Sequence, residues 1–442
     1  YSIMVWKMIY KEIIMKIVGL IAEYNPFHNG HLYHIEEAKR ITGADAAVVV
    51  MSGDYVQRGT PAIMPKRLRA EMALRCGAGA VFELPVCYST GSAEYFARGA
   101  VSLLDRLGVV DSICFGSECD DLEAMQRTAD LLLQEPPDYQ EILRRHLRQG
   151  TPFPAARQEA VTEYTGDDRA ARILREPNNI LGIEYLKALK KTGSSMKPYT
   201  ILRRGAGYHD RELAGEFSSA SAIRSLLAYS GSSLRAEQMA GAFDNTPFSR
   251  ILDDLENQVP SVCLALLRDY HRVQYPIYQN DFSLLLKYKL LNKSPKSLIR
   301  YMDVSEELAN RICARLNDFF NFKQFSELLK TREMTRTRID RALLHIMLGI
   351  KKKNVQEFMD GGFHFYARLL GVRKDQSRIL SEISEKGTVP LLSRLSEDNI
   401  LSETGRRMLR HDILASNLYT SVVTDKYRTA FQNEYKQALI KI

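Results

Sequence analysis

The chain has 442 residues, 45% of them hydrophobic and 26% charged, with 61 Lys and Arg against 53 Asp and Glu for a net charge of +8. That length allows two or three domains with sizeable cores, and no run of about 18 apolar residues occurs, so no segment reads as a membrane span. The six cysteines form no C-x-x-C pair, and no histidine lies at zinc-ligand spacing from them. This argues against a disulfide scaffold or a structural zinc site and for reduced thiols in the cytoplasm.

Residues 1–14 mix Trp6, Lys7, Lys11 and Glu12 with apolar residues and lack a signal-peptide pattern. They read as an extension without function ahead of Met15. The run Ile17 to Ala22 is short, apolar and β-branched, as a buried parallel strand requires. Pro26 and Gly30 punctuate the loop that follows, and from His31 the apolar positions Leu32, Ile35, Ala38 and Ile41 recur at helical spacing. Further strand-like runs come at Ala46 to Met51, Ala80 to Pro85, Ser112 to Gly116 and Met196 to Leu202. Helical stretches at Lys66 to Cys76 and Ala93 to Leu107 separate the earlier ones. Strand and helix alternating at this spacing predict right-handed βαβ units, hence an α/β fold with a Rossmann-like, doubly wound parallel sheet over 15–235.

From about Ala236 helical periodicity takes over, predicting a mainly α-helical second domain over 236–442. Between Lys287 and Lys353 it carries 16 Lys and Arg against 7 Asp and Glu, so the net positive charge of the chain is concentrated here. A last piece, Gly362 to Ser396, with Tyr366, Leu369-Leu370, Val372 and Pro390-Leu391-Leu392, predicts a small sheet or mixed subdomain closing the helical part.

Glu23-Tyr24-Asn25-Pro26-Phe27-His28-Asn29-Gly30-His31 is the most informative string. It sets two imidazoles three residues apart at a helix N-terminus, where free backbone N–H groups and the macrodipole favour phosphate. No Walker-type loop and no G-x-G-x-x-G after a strand competes for the nucleotide. In Phe217-Ser218-Ser219-Ala220-Ser221-Ala222-Ile223-Arg224, hydroxyl residues ahead of a helix can cap it or offer a phosphate N–H groups and hydroxyls, while Arg224 supplies a fork of donors. Gly116 in Phe115-Gly116-Ser117-Glu118 permits close approach at a strand end, or simply turns the chain. Asn178-Asn179 opens a helix, and Arg203-Arg204 ends the last strand. The loop Met51 to Gly59 is a candidate for the second substrate, with Lys66 and Arg67 nearby. Lys330, Arg332, Arg336, Arg338 and Arg341 have only Glu333 and Asp340 among them to pair with, and fit phosphate contacts to a folded RNA or a solvated face.

The His-x-Gly-His string resembles the signature of the adenylyl-transferring superfamily of nucleotidyltransferases and class I aminoacyl-tRNA synthetases, and Ser-Ala-Ser-Ala-Ile-Arg resembles its second signature. Together with Met51-Ser52-Gly53, Phe115 to Glu118, Pro177 to Gly182 and Thr335-Arg336-Thr337-Arg338-Ile339, the pattern resembles the bacterial tRNA(Met) cytidine acetate ligase family from Met15 nearly to the C-terminus. That resemblance implies ATP-dependent acetylation of the wobble cytidine of elongator tRNA(Met) with free acetate. Acetyl-adenylate would be the intermediate, Mg²⁺ would accompany ATP, and no protein-held metal would be needed. It further implies ATP contacts from Ile21, Ala22, Glu23, Tyr24, Asn25, Pro26, Phe27, His28, Asn29, Gly30, His31, Leu32, Tyr33 and His34, and from Gly116, Asn178 or Asn179, Arg203 and Arg204. His28, His31, Ser221 and Arg224 would carry the chemistry. An adenylyltransferase acting on a phosphorylated coenzyme precursor explains both signatures but leaves the basic domain idle. A non-catalytic RNA-binding protein ignores the histidines.

Overall fold

The computed structural model describes residues 15–203, 218–231, 246–331 and 334–442. The expected extension 1–14, Arg204, Phe217, Arg332 and Glu333 lie outside these residues.

The five expected parallel strands form. They are β1 (Ile17–Ala22), β2 (Ala46–Ser52), β5 (Ala80–Leu84), β6 (Ser112–Ser117) and β7 (Lys197–Leu202), in the spatial order β5-β2-β1-β6-β7. Helices α1 (Asn29–Thr42), α2 (Lys66–Arg75), α3 (Ala93–Arg106) and α4 (Pro177–Thr192) cover the two faces. β2 and β5 are buried along their whole length, which is why they read as apolar runs, interrupted in β5 only by Glu83, instead of alternating ones. The order reverses between β1 and β6, and the crevice beyond the C-terminal ends of those two strands is where an open α/β sheet receives its ligand.

Between β2 and α2 the chain makes a two-stranded hairpin, β3 (Tyr55–Val56) with β4 (Thr60–Pro61). Each strand is too short to leave a periodic signal. Gly59 at the tip has φ +77°, and a Cβ there would stand 2.3 Å from the backbone nitrogen of Arg341. The hairpin is therefore pressed against the helix Arg336–Leu348 of the basic region, and only glycine allows the approach.

The C-terminal piece corrects the sequence expectation. Its strand β8 (Ala367–Val372) pairs antiparallel with β5 and extends the main sheet, with β9 (Leu391–Leu392) and β10 (Ile440–Lys441) pairing on β8. A non-local antiparallel pairing leaves no trace in local sequence, so the segment looked self-contained.

The return is fastened by a buried charge cluster. Lys66 Nζ lies 2.7 Å from Glu83 of β5, 3.1 Å from Glu434 and 2.6 Å from the Ser416 hydroxyl in the helix Glu403–Tyr427, and Arg368 of β8 lies 2.9 Å from Glu83. Against the desolvation that opposes it, Lys66, Arg368 and Arg67 hold the Glu434 carboxyl down to about 2. Lys66 and Arg67, expected near a substrate loop, are thus structural. Arg67 donates to the Ala438 carbonyl at 2.5 Å and lies 3.4 Å from Glu434. Among the described residues no helix is long and apolar enough to cross a membrane.

Candidate active site

His28 ends the β1 loop in extended conformation and caps α1 with its own ring. Its Nδ1 accepts the Gly30 N–H at 3.1 Å, and His31 Nδ1 in return accepts the His28 N–H at 3.3 Å. This is a capping box built from two imidazoles. The rings stack with centroids 3.7 Å apart and planes 29° apart, and Tyr24 meets His31 edge-on at 4.9 Å.

Because each Nδ1 accepts a backbone N–H, the proton of each neutral ring sits on Nε2, leaving two N–H donors side by side. Burial above all, reinforced by the Arg203 and Arg224 guanidiniums, lowers His28 to about 3. Burial and then the neighbouring His28, Arg203 and His34 lower His31 as well. Both rings are accordingly uncharged donors at neutral pH. One turn further, burial lowers His34 to about 4, and its Nε2 is buried without a hydrogen-bond partner among the described residues.

These groups line a cavity of about 750 Å³ at the switch point. The β1 end supplies Ile21 to Asn25, and α1 supplies His28, Gly30, His31, Tyr33 and His34. Opposite stands α5 (Ala220–Gly231), contributing Ser221 and Arg224 together with Ser218 and Ser219 just ahead of it. Ser219 Oγ caps this helix by accepting the Ala222 N–H at 3.1 Å. Arg224 ties the two signatures together, donating to the Asn25 carbonyl at 2.7 Å and to Ser221 Oγ at 2.9 Å.

The third wall is made by Gly116 at the end of β6, by Asn178 and Tyr185 of α4, and by Arg203 after β7. Arg203 donates to Asn178 Oδ1 at 2.9 Å, and its Cγ would be 3.1 Å from a Cβ at Gly116, so a side chain at 116 would crowd this wall. Asn178 lines the cavity. Asn179 does not; its buried Oδ1 instead accepts the Glu118 N–H at 2.8 Å and closes the β6 turn. Pro26, Phe27, Asn29 and Leu32 likewise shape the loop and helix behind the lining, with Asn29 bonded to the Asn257 and Gln258 carbonyls.

The sequence reading missed part of the wall. Tyr278, Gln279 and Lys323 from the helical region reach the cavity, as does the hairpin, with Gln57, Arg58 and Thr60. The Gln57 N–H donates to Glu23 Oε1 at 2.8 Å. Glu23 is the only carboxylate among the described lining residues. Burial pushes it above the usual range against the pull of the Gln57 N–H and of Arg224, Arg69 and Arg58.

The expected row of unpaired arginines needs correction. Arg336 pairs with Glu327 and lies 3.4 Å from Asp340, and Arg341 lies 2.9 Å from Asp303. Their acids come from neighbouring turns, not only from within the segment. Lys330 and Arg338 are exposed.

A mostly parallel sheet with His-x-Gly-His at its switch point and Ser-x-Ile-Arg facing it defines a nucleotidyltransferase, and residues 15–435 match the family model described as HIGH Nucleotidyl Transferase. The chain is 43% identical over 407 residues to the tRNA(Met) cytidine acetate ligase of Caldanaerobacter subterraneus, covering 92% of this chain and 95% of that protein. It is 38% identical to the protein of the same name from Acetivibrio thermocellus, over 96% of this chain and 100% of the other. The crystal structure of apo Thermotoga maritima TmcAL superposes with TM-score 0.86 at 30% identity, covering 97% of this chain and all of that one. The same protein bound with alpha-thio ATP superposes with TM-score 0.84. The chain belongs to the tRNA(Met) cytidine acetate ligase family.

Proposed function

We propose that the protein is an ATP-dependent ligase that activates acetate as acetyl-adenylate and acetylates N4 of the wobble cytidine of elongator tRNA(Met). The observation that carries this reading is the meeting, across one cavity, of the paired Nε2 donors of α1 with Ser221 and Arg224 of α5. A carboxylate does not acylate an amine in water. One acetate oxygen therefore attacks the α-phosphorus, the bond to the β-phosphate oxygen breaks, and pyrophosphate leaves.

Charge gathers on the phosphoryl oxygens in that transition state. Neutral N–H donors fixed by backbone bonds, the α1 macrodipole and the Arg203 and Arg224 guanidiniums meet it without reorganising. Gly116, Asn178 and the β1 loop then form the nucleoside side of the site. Among the described residues no group of three His, Cys, Asp or Glu side chains converges to hold a metal. Mg²⁺ would enter on the triphosphate, coordinated by phosphate oxygens.

In the second step the cytidine amine attacks the acetyl carbonyl, AMP leaves, and the amine must lose a proton. Glu23, the carboxylate that lines the cavity and is oriented by the Gln57 N–H, takes it. Exposed Lys330 and Arg338 would meet tRNA phosphates, with partly exposed Arg336 beside them, while Arg341 is largely buried against Asp303. Labelled acetate, ATP and bulk tRNA, followed by digestion to nucleosides, test the reading. Label in N4-acetylcytidine with acetate-dependent pyrophosphate release is expected, and pyrophosphate release indifferent to acetate would refute it.

A further inference from the structure

Four large apolar side chains stand in solvent in the helical region, on a helix and a loop that adjoin the cavity-lining Lys323. On the helix Ser283–Leu291, Leu284, Tyr288 and Leu291 recur along one face and are 79%, 70% and 62% exposed, while Leu286 and Leu290 point into the core. Phe320, in the adjoining loop, is 82% exposed. Loop and helix are locked together. Ser283 Oγ accepts the Phe322 N–H at 3.0 Å, Lys287 Nζ donates to the Phe319 carbonyl at 3.5 Å, and Asn280 Oδ1 accepts the Lys323 N–H at 2.9 Å. Lys323 itself lines the catalytic cavity. The exposed face and the cavity are therefore joined through the loop that carries Phe320 and Lys323.

Its charge says what covers it. Residues 283–296 hold four lysines and no acidic residue, so a second copy of the chain would set lysine against lysine. A polyanion with apolar faces suits both the lysines and the rings, which is the description of unpaired RNA bases on their backbone. The chemistry demands such a support. An exocyclic amine can enter a buried cavity only when its base leaves the stack, and the neighbouring bases then lose their partners.

We propose that Tyr288 and Phe320, with Leu284 and Leu291 beside them, form a stacking platform for unpaired bases of the tRNA anticodon loop, holding the loop open while the reacting cytidine extends past Lys323 into the cavity. This surface is separate from the 330–341 patch and rests on the RNA-acetylating reading above. Stacking releases no counterions, so its signature differs from that of a phosphate contact.

The test uses full-length Tyr288→Ala, Phe320→Ala and Tyr288→Phe with a short stem-loop RNA carrying 2-aminopurine beside the loop cytidine. Each alanine variant is expected to weaken RNA binding about tenfold and raise KM for tRNA similarly, with the salt slope, acetate-dependent pyrophosphate release and melting temperature unchanged. Tyr288→Phe restores binding and the 2-aminopurine response. Wild-type affinity in both alanine variants would overturn the platform, as would a wild-type dimer that either variant converts to monomer. Wild type that binds no RNA would sink the parent reading as well, whereas wild type that binds while the variants match it sinks the platform alone.

Discussion

Removing the His31 ring separates a chemical loss from a structural one. Its Nε2–H is a preorganised donor in a water-poor cavity, and deletion of one such donor costs about 3 kcal/mol of transition-state stabilisation, a factor of roughly 10² to 10³ in rate. The same ring also accepts the His28 N–H at 3.3 Å and stacks on His28, so His31→Ala further removes half of a helix cap, worth about 1 kcal/mol of stability. The rate loss should therefore far exceed what the stability loss can explain. Acetate-dependent exchange of labelled pyrophosphate into ATP reads the chemical step without RNA, and thermal melting reads the cap. His28 is already lowered to about 3 and His31 is lowered with it, so wild-type exchange should show no imidazole titration between pH 5 and 8, whereas a charged imidazole donor of ordinary pKa would lose activity as pH rises through about 6.5. Exchange in His31→Ala within about threefold of wild type, or a wild-type rate that titrates near 6.5, would refute the role of a neutral donor pair.

Glu23→Gln should spare pyrophosphate exchange but lose most acetyl transfer. In the wild type, transfer alone should rise with pH through the raised Glu23 titration, which quench-flow on preformed acetyl-adenylate would show. Gly59→Ala forces a Cβ against the Arg341 backbone at positive φ and should cost about 2 kcal/mol or more in denaturant unfolding, with the displaced hairpin also lowering transfer. Lys66→Met leaves Glu83 and Glu434 short of a buried cation and should cost about 3 to 5 kcal/mol; wild-type stability would contradict the cluster. Arg338→Ala should lower the salt slope of tRNA binding by about 1, measured by titration at several ionic strengths. Acid should destabilise the fold. Buried His28 and His364, both lowered to about 3, take up protons only on unfolding between pH 6.5 and about 3, so stability falls with pH across that window, by about 2 kcal/mol per group at pH 5.

The parallel strands and both signatures were legible because each is local: an unbroken apolar run means a strand buried on both faces, and His-x-Gly-His falls where periodicity changes from two to 3.6. The hairpin of Gln57 and Arg58 was not, since strands of two residues have no period. Lys66 and Arg67 read as neighbours of a substrate loop, and Glu83 and Arg368 gave no signal, because burial of a charge depends on partners far along the chain, here as distant as Glu434. Tyr278, Gln279 and Lys323 were silent for the same reason. Nothing around them marks a site until the helical region folds back on the sheet. Asn178 and Asn179 were indistinguishable in sequence, and only the turn at Glu118 shows that Asn179 faces inward to the backbone while Asn178 faces the cavity.

The strand that rejoins the sheet edge at Ala367 has a mechanical result. Because the chain departs from the α/β body and comes back to it, the intervening helices are anchored at two places and cannot swing like an arm on a single pivot. The span from their outer face to the cavity is then a set length, as between the jaws of a caliper.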